Sequence, residues 1–591
     1  MKNIRYIVGL LILVAVSCTT PLTEEQKNSD SVLLKQTHEY TLNSDGSVDY
    51  RYYHQRQYNS YMAFNRLYGE TFVVYNPDFQ TLTVKKSQTT MRDGKKVQSP
   101  DNAFNEVLPF QAANAPAFNH LREMVITHVG LEIGAVVELD YTLTSKADFL
   151  PVFAGKLMLN ESSPIKDLKV IVRVPKGQAL NYFILNQSPD IIFKKGVEGK
   201  FDTYTWTASN ITARSNESHQ LEGFVDYQTL TFSTVDLIGS MDFLKSNLTK
   251  EFASHKSMEN LLKSKAKGWE LVEEIKNYVA NNINTYRVLP QHVGFRFRTP
   301  AEVWASNGGT EGEKAILLAS LLKESGFNAE LALGAYPQYL NEEVGCPATL
   351  DKYLVKIELD GETRFLQATE DKTIIPGARV IIGLSDDLSQ INLEPIQKPN
   401  LNLGMKASIK ISKDGAISGT ANLRFSEYNK DKELLSGIPS SSFTSKEMPK
   451  EDDFTVFSVE ISKGVTTEKA GDYMSFSFPS MAQGIASAHL SELPTERVTR
   501  LELPAVINES YEFTIKLPKG FVAASPAYNE VVENSFGKVM VSFEISGDEI
   551  KVNRQLVFNQ CVVPIESYDN FRSLASIWMD KNLNRILVKP E

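Results

Sequence analysis

The chain has 591 residues, room for three to five domains at roughly 100–200 residues each. Its 42% hydrophobic and 23% charged content are globular values that permit a sizeable core. With 62 basic against 72 acidic residues the net charge is −10, so the basic excess that marks nucleic-acid-binding proteins is missing.

At the amino terminus Lys2 and Arg5 precede an apolar run that ends in small residues, the pattern of an export signal. The run is too short for a comfortable transmembrane helix. Its end, Ala15-Val16-Ser17-Cys18, resembles a bacterial lipoprotein cleavage box. That resemblance implies removal of residues 1–17 and lipidation of Cys18. It also implies an outer-membrane anchor facing the periplasm, because Thr19 is not an aspartate and the acidic residues come late in TTPLTEEQ. An ordinary secretory signal is the alternative. Export would allow Cys346 and Cys561 to oxidise together, but two isolated thiols are the simpler expectation.

Residues 18–30 form a polar tether, after which alternating segments begin. Two such runs flank Asp45-Gly46, a hairpin signal, and Asn76-Pro77 and Asp93-Gly94 mark further turns. Residues 31–245 therefore predict a mostly antiparallel β-domain, a sandwich in which each sheet buries one face. The run of Tyr50, Tyr52, Tyr53, Tyr58 and Tyr61 suits strand packing, with a carbohydrate-stacking face as the alternative. His38, His54, His120, His128 and His219 have no metal-ligand spacing, so no metal is expected.

From 246 the pattern turns helical, with Trp269, Val272, Ile275, Val279 and Ile283 spaced by three or four. Arg287, His292, Arg296 and Arg298 then interleave with aromatics, a cluster suited to neutralising nearby carboxylates. Thr299-Pro300 with Glu302, and Thr310 with Glu313, each read as a helix start with a capping box. The apolar run from Ala315 to Leu322 predicts a helix buried on more than one face and ending near Gly326. Alternation over 327–335 and 353–359, with a turn at Asp360-Gly361, predicts strands after it.

Past Pro399 alternation resumes around Asp414-Gly415 and continues in TVFSVEIS, YMSFSFPS, YEFTIKLPKGF and KVMVSFEIS. The polar SSSFTSKEMPKEDD reads as a loop. Tyr568, Phe571, Ala575 and Trp578 fall at helical spacing, so a terminal helix should pack on the sheet. The resulting division is a core at 246–390 and a β-rich region at 391–591. Phosphate loops, dinucleotide fingerprints, zinc motifs and serine elbows are lacking, so no cofactor is expected.

The order and local text of Thr299–Thr369 resemble the transglutaminase-like superfamily, in its bacterial branch with DUF3857-type N-terminal and DUF3858-type C-terminal domains. The resemblance implies a multidomain α+β fold: a papain-like core between antiparallel β-rich, sandwich-like arms. In GTEGEKA, Gly309, Lys314 and Ala315 match the family pattern, while Glu311 stands where the nucleophilic cysteine belongs. Lys352 takes the place of the histidine and Gln367 that of the aspartate. A thiolate activated by a helix terminus and an imidazole is thus absent from these positions. Glu311 is expected to be ionised; the three residues either merely tolerate a surface groove, or Glu311 and Lys352 pair as a permanent salt bridge, with a new acid or base activity of Glu311 as a third reading. The expected function is a non-catalytic module that binds protein or glycan or serves as a scaffold. A cysteine-type hydrolase or acyltransferase with displaced residues, through Cys346 for instance, and a purely structural envelope component are the alternatives.

Overall fold

The computed structural model describes residues 21–248, 264–369, 379–387, 400–430, 432–462, 464–488, 490 and 493–591. The export signal and Cys18 lie outside the described residues.

In the amino-terminal arm, Ser31–Leu42 and Val48–Tyr58 form the hairpin expected around Asp45, with Gly46 at φ +85°. They occupy the middle of an eight-stranded sheet. Its order is Ile192–Glu198, Phe201–Ile211, Ile165–Pro175, Ser31–Leu42, Val48–Tyr58, Val136–Ser145, Gln80–Thr90 and Lys96–Gln98. Neighbours are antiparallel except Ser31–Leu42 with Ile165–Pro175, which run parallel. Two three-stranded sheets cover it. The first puts Ile184, Leu230 and Phe232 against Val170, Val172 and Trp206. The second puts Val73 and Ile126 against Leu139 and Tyr141. The alternating pattern has produced a sandwich because each sheet hides its apolar face on another.

Between the two covers lies a polar seam. His38, His54 and His128 are buried there beside Tyr141 and the half-buried Tyr50 and Tyr52, and the His54 and His128 rings are 6.1 Å apart. His54 Nε2 and His128 Nδ1 have no hydrogen-bond partner among the described residues. Burial holds all three imidazoles neutral: it lowers His38 to about 3 and His128 to about 4, and His54 falls well below the ordinary value.

The carboxyl-terminal arm repeats the scheme. Its eight strands run Phe443–Glu451, Phe454–Ile461, Ile417–Phe425, Asn400–Ile411, Val506–Lys516, Glu549–Phe558, Gly537–Ser546 and Tyr528–Asn534, with one parallel pair at the centre, Asn400–Ile411 beside Val506–Lys516. The stretch expected as a loop is instead largely strand: Phe443–Glu451 pairs with Phe454–Ile461 at the edge of the sheet. An edge strand has a neighbour on one side only, and this one is exposed along most of its length. Its polar composition therefore reflects solvent, and Pro449 sits where the register shifts between Met448 and Glu451.

The core contains four described helices: α1 (Leu237–Leu248), α2 (Trp269–Asn282), α3 (Pro300–Ala305) and α4 (Glu311–Glu324). They pack on strands β1 (Asn328–Ala335), β2 (Leu350–Leu359), β3 (Glu362–Leu366) and β4 (Val380–Gly383), ordered β3-β2-β1-β4 and antiparallel throughout. The α1 helix begins upstream of the sequence boundary at 246, and its Leu237, Met241, Leu244 and Leu248 lie in the core cluster. Every residue of α4 from Gly312 to Leu322 is buried, as its apolar run required. Gly326 follows at φ +88°, a conformation that glycine tolerates. In the carboxyl-terminal arm, α5 (Tyr568–Met579) buries Tyr568, Phe571, Ala575 and Trp578 against the sheet.

Both expected capping boxes form, at Thr299–Glu302 and Thr310–Glu313. The second also accepts the guanidinium of Arg298. Its Nε donates to Glu313 Oε1 at 2.9 Å and Nη2 to Oε2 at 2.8 Å, and the Arg298 backbone N–H donates at 3.0 Å. Glu313 is 1% exposed and Arg298 partly exposed, so the carboxylate is the buried partner, and it also accepts the helix-cap N–H of Thr310. Beside it, the buried Lys314 ammonium donates to Ala280 O at 3.2 Å, Ile283 O at 2.7 Å and Thr285 Oγ1 at 2.9 Å. It thereby satisfies orphan carbonyls at the carboxyl end of α2, where a cation is favoured.

A strap from the amino-terminal arm, residues 217–226, joins all three units. Glu217 accepts hydrogen bonds from the backbone of Val498 at 3.0 Å and Thr499 at 2.9 Å, and Asp226 accepts from Arg500 N at 3.1 Å. In the core, Tyr336 Oη donates to Glu222 at 3.0 Å and Tyr339 Oη to Gly223 O at 2.7 Å. Gly223 has φ +74°, and a Cβ there would lie 2.3 Å from the Tyr336 ring.

Glu313→Ala removes the buried acceptor of the partly exposed Arg298 guanidinium and of the Thr310 N–H and should cost about 1–3 kcal/mol, measured as a lowered urea midpoint. The histidine seam sets an acid limit. The unfolded imidazoles titrate near ~6.5 and the folded ones lower, so the unfolded chain binds more protons below ~6.5. Their contribution is complete above that pH and is lost as pH falls towards about 4 and then about 3. Replacing His54 with phenylalanine should flatten the dependence of unfolding free energy on pH between 6.5 and 4 by about one proton.

Candidate functional site

The resemblance locates the site at the start of α4 and the start of β2. Thr310 caps α4, so Glu311 is its first residue. Close packing fixes the approach: a Cβ on Gly312 would lie 2.5 Å from the Phe297 ring, and one on Gly309 2.9 Å from Val303. Across from Glu311, β2 brings Lys352 to the cleft, with Nζ 3.7 Å from Glu311 Oε1. The two side chains are 29% and 21% exposed, so their attraction stabilises the fold by only ~0–1 kcal/mol.

Burial raises the Glu311 carboxyl above the ordinary carboxylate range. The Lys352 charge and a hydrogen bond from the Tyr353 backbone N–H oppose that shift without cancelling it. The sequence expectation of an ionised glutamate rested on the helix terminus, and burial acts on it in the opposite direction. Glu311 Oε1, the Tyr353 hydroxyl and Gln367 Nε2 are buried with no hydrogen-bond partner among the described residues. Gln367 follows β3 and is buried.

Next to Lys352, Asp351 pairs with Arg379, whose guanidinium stacks 3.9 Å over the Tyr336 ring. Asp351 and Arg379 both act electrostatically on Glu311. Neither was singled out from the sequence. Asp351 could have been suspected from its position beside Lys352, but Arg379 carried no local signal. The contacts run on through Tyr336 to Glu222, so the cleft is linked to the strap.

Cys346 does not join this group. It is buried, coupled through charge to Lys156 and Tyr40 of the amino-terminal arm, and burial pushes its thiol up to about 11. Neither Cys346 nor Cys561 is in a disulfide. His292 lies in the turn Pro290–Val293, and burial lowers its pKa. Of the basic cluster, Arg298 serves Glu313, and Arg296 donates to Asp148 O and stacks 4.2 Å over Phe79. Among the described residues no group of three histidine, cysteine, aspartate or glutamate side chains is placed to hold a metal. Clefts of about 250 and 260 Å³ open elsewhere, beside Met241 and Asp386 and beside Tyr528 and Phe543.

The geometry offers a carboxyl and an ammonium that neutralise each other, flanked by orphan polar atoms. It offers neither a thiol nor an imidazole at these positions. Binding through hydrogen bonds is the chemistry it supports directly.

Comparison with known proteins covers both arms and the whole chain. Residues 44–215 match the domain of unknown function DUF3857 and residues 473–588 match the domain of unknown function DUF3858. A crystal structure of a candidate protease from Parabacteroides distasonis is 28% identical over 95% of this chain and 99% of that chain, with a TM-score of 0.72. A candidate cysteine protease from Cytophaga hutchinsonii is 10% identical over 39% of this chain and 83% of that one. Its TM-score of 0.17 is too low to bear on the fold. No curated protein matches. The chain thus has a transglutaminase-like architecture in which a mixed α/β core is flanked by a DUF3857 and a DUF3858 domain.

Proposed function

We propose that this chain is a lipid-anchored envelope protein, held by Cys18 at the outer membrane and facing the periplasm, whose papain-type core binds or scaffolds without catalysing acyl transfer. The observation that carries this reading is the 3.7 Å approach of Glu311 and Lys352 at the positions where the resemblance expects a thiol and an imidazole. A glutamate cannot form the thioester on which cysteine-type transfer depends, and Lys352 is tied to it by charge. The unpaired polar atoms of Tyr353 and Gln367 leave hydrogen-bonding capacity for a ligand.

The Parabacteroides relative is described as a protease candidate, and this favours a polypeptide over a glycan as the ligand. It also favours a second reading, a hydrolase with displaced residues. Against that reading stands Cys346, the thiol closest in sequence to the cleft, which is buried and held protonated.

Glu311→Cys alone should give no iodoacetamide-sensitive hydrolysis or amide transfer with peptide substrates, because Lys352 and Gln367 supply neither a matched base nor an orienting carboxylate. Thiol-dependent turnover by that variant would overturn the proposal. Wild-type turnover that Cys346→Ser abolishes would establish the second reading instead. Glu311→Gln should change the unfolding free energy by less than about 1 kcal/mol in urea titrations, as expected for a partly exposed pair.

A further inference from the structure

One end of the amino-terminal arm presents apolar side chains that no other part of the described structure covers. Tyr61, Met62 and Leu67 are 76%, 71% and 63% exposed and fall within one seven-residue stretch, whereas Phe110 and Val498, comparably exposed, stand singly. Ile133, also exposed, precedes Gly134, whose N–H donates to Tyr58 O at 2.7 Å just before this loop. The loop that carries them is ordered. Ser60 caps its first turn, and Phe64 packs 6.0 Å from the buried Tyr58 ring and 5.6 Å from Tyr61. Holding the side chains in place beforehand lowers the entropic cost of any contact they make.

The position of the loop relative to the start of the chain suggests what covers it. Asn59 N donates to Asp30 O at 2.8 Å, and Asn59 Nδ2 donates to Gln26 O at 2.9 Å and Ser29 O at 3.0 Å. The helix Glu24–Asn28 is in turn fixed to the arm: Gln26 Nε2 donates to Asn210 Oδ1 at 3.1 Å, and Glu25 accepts from Ala213 N at 2.8 Å. Thr23, its cap, is where the fixed body begins. Five residue steps separate Thr23 from Cys18, at most about 18 Å of fully extended chain. A lipid on Cys18 therefore holds this end of the arm, with its apolar loop, close to the bilayer.

We propose that the Asn59–Leu67 loop is a second membrane contact, in which Tyr61, Met62 and Leu67 enter the lipid–water interface and set the orientation of the arm on the bilayer. This rests on the reading of Cys18 as the lipid anchor. The chemistry fits: tyrosine prefers the interface, where its ring meets acyl chains and its hydroxyl stays wet, while methionine and leucine gain by leaving water. Arg66, 75% exposed, lies over the Phe72 ring at 4.6 Å at the rim and pairs through Nε with Glu70 at 3.5 Å, which offsets its charge, so the apolar side chains carry the contact.

The test uses the full-length protein purified with its native amino terminus, in a Cys561→Ser background, and reconstituted into phosphatidylethanolamine/phosphatidylglycerol vesicles. An environment-sensitive fluorophore is placed at Met62→Cys, or at Val531→Cys on the opposite arm, and quenched with nitroxide lipid. Acylation of Cys18 is read separately, by alkynyl fatty-acid labelling and intact mass. The proposal expects several-fold stronger quenching at 62 than at 531. It also expects that adding Tyr61→Ser and Leu67→Ser weakens quenching at 62, which a loop merely lying near the bilayer would not show. Equal, weak quenching at both sites on acylated protein overturns the loop contact and leaves the anchor standing. Absence of acyl label on Cys18 overturns the anchor reading and this inference with it.

Discussion

Four N–H donors converge on the carboxylate of Glu313: three from Arg298 and one from Thr310. The same glutamate closes a capping box, so one buried group starts α4, neutralises a guanidinium and ties the preceding loop to the helix. A charge this dry is tolerable because every lone pair is engaged. Lys314 extends the constraint to α2 by holding the carbonyls of Ala280 and Ile283. Between them, these side chains fix the helix terminus on which residue 311 stands. None of these bonds involves the side chain at 311. The scaffold is therefore independent of which side chain stands at that position.

Much of the architecture was legible in the sequence because it is written in short-range rules. The hairpin at Asp45-Gly46, the capping boxes at Thr299 and Thr310, the glycine stop after α4 and the buried face of α5 each follow from a few neighbouring residues. The edge strand Phe443–Glu451 was not legible, because an exposed strand loses the alternation by which strands are recognised. The parallel pairs at the centre of both large sheets were equally hidden: they join strands more than a hundred residues apart, such as Asn400–Ile411 and Val506–Lys516.

The site was partly legible for the same reasons. Aligning Glu311 and Lys352 with family positions brought two opposite charges together, and they do meet at 3.7 Å. The state of the glutamate was not readable, since it depends on solvent excluded by residues distant in sequence. Nor was the surrounding cage. Arg379 reaches Asp351 from β4's leading end, and Tyr336 lies beneath it after the end of β1. Sequence patterns report what a residue offers, whereas the titration of a group reports what has been packed around it.

The strap at 217–226 makes three domains of one chain mutually dependent. Gly223 accepts the Tyr339 hydroxyl in a backbone conformation that side-chain-bearing residues avoid, and the Tyr336 ring fills the space a side chain would need. The pieces are therefore poor candidates for exchange between proteins. A foreign core would need tyrosines at both places, a foreign first arm the glycine turn, and a foreign last arm the backbone that Glu217 and Asp226 grip. Such a chain is constrained to be inherited whole.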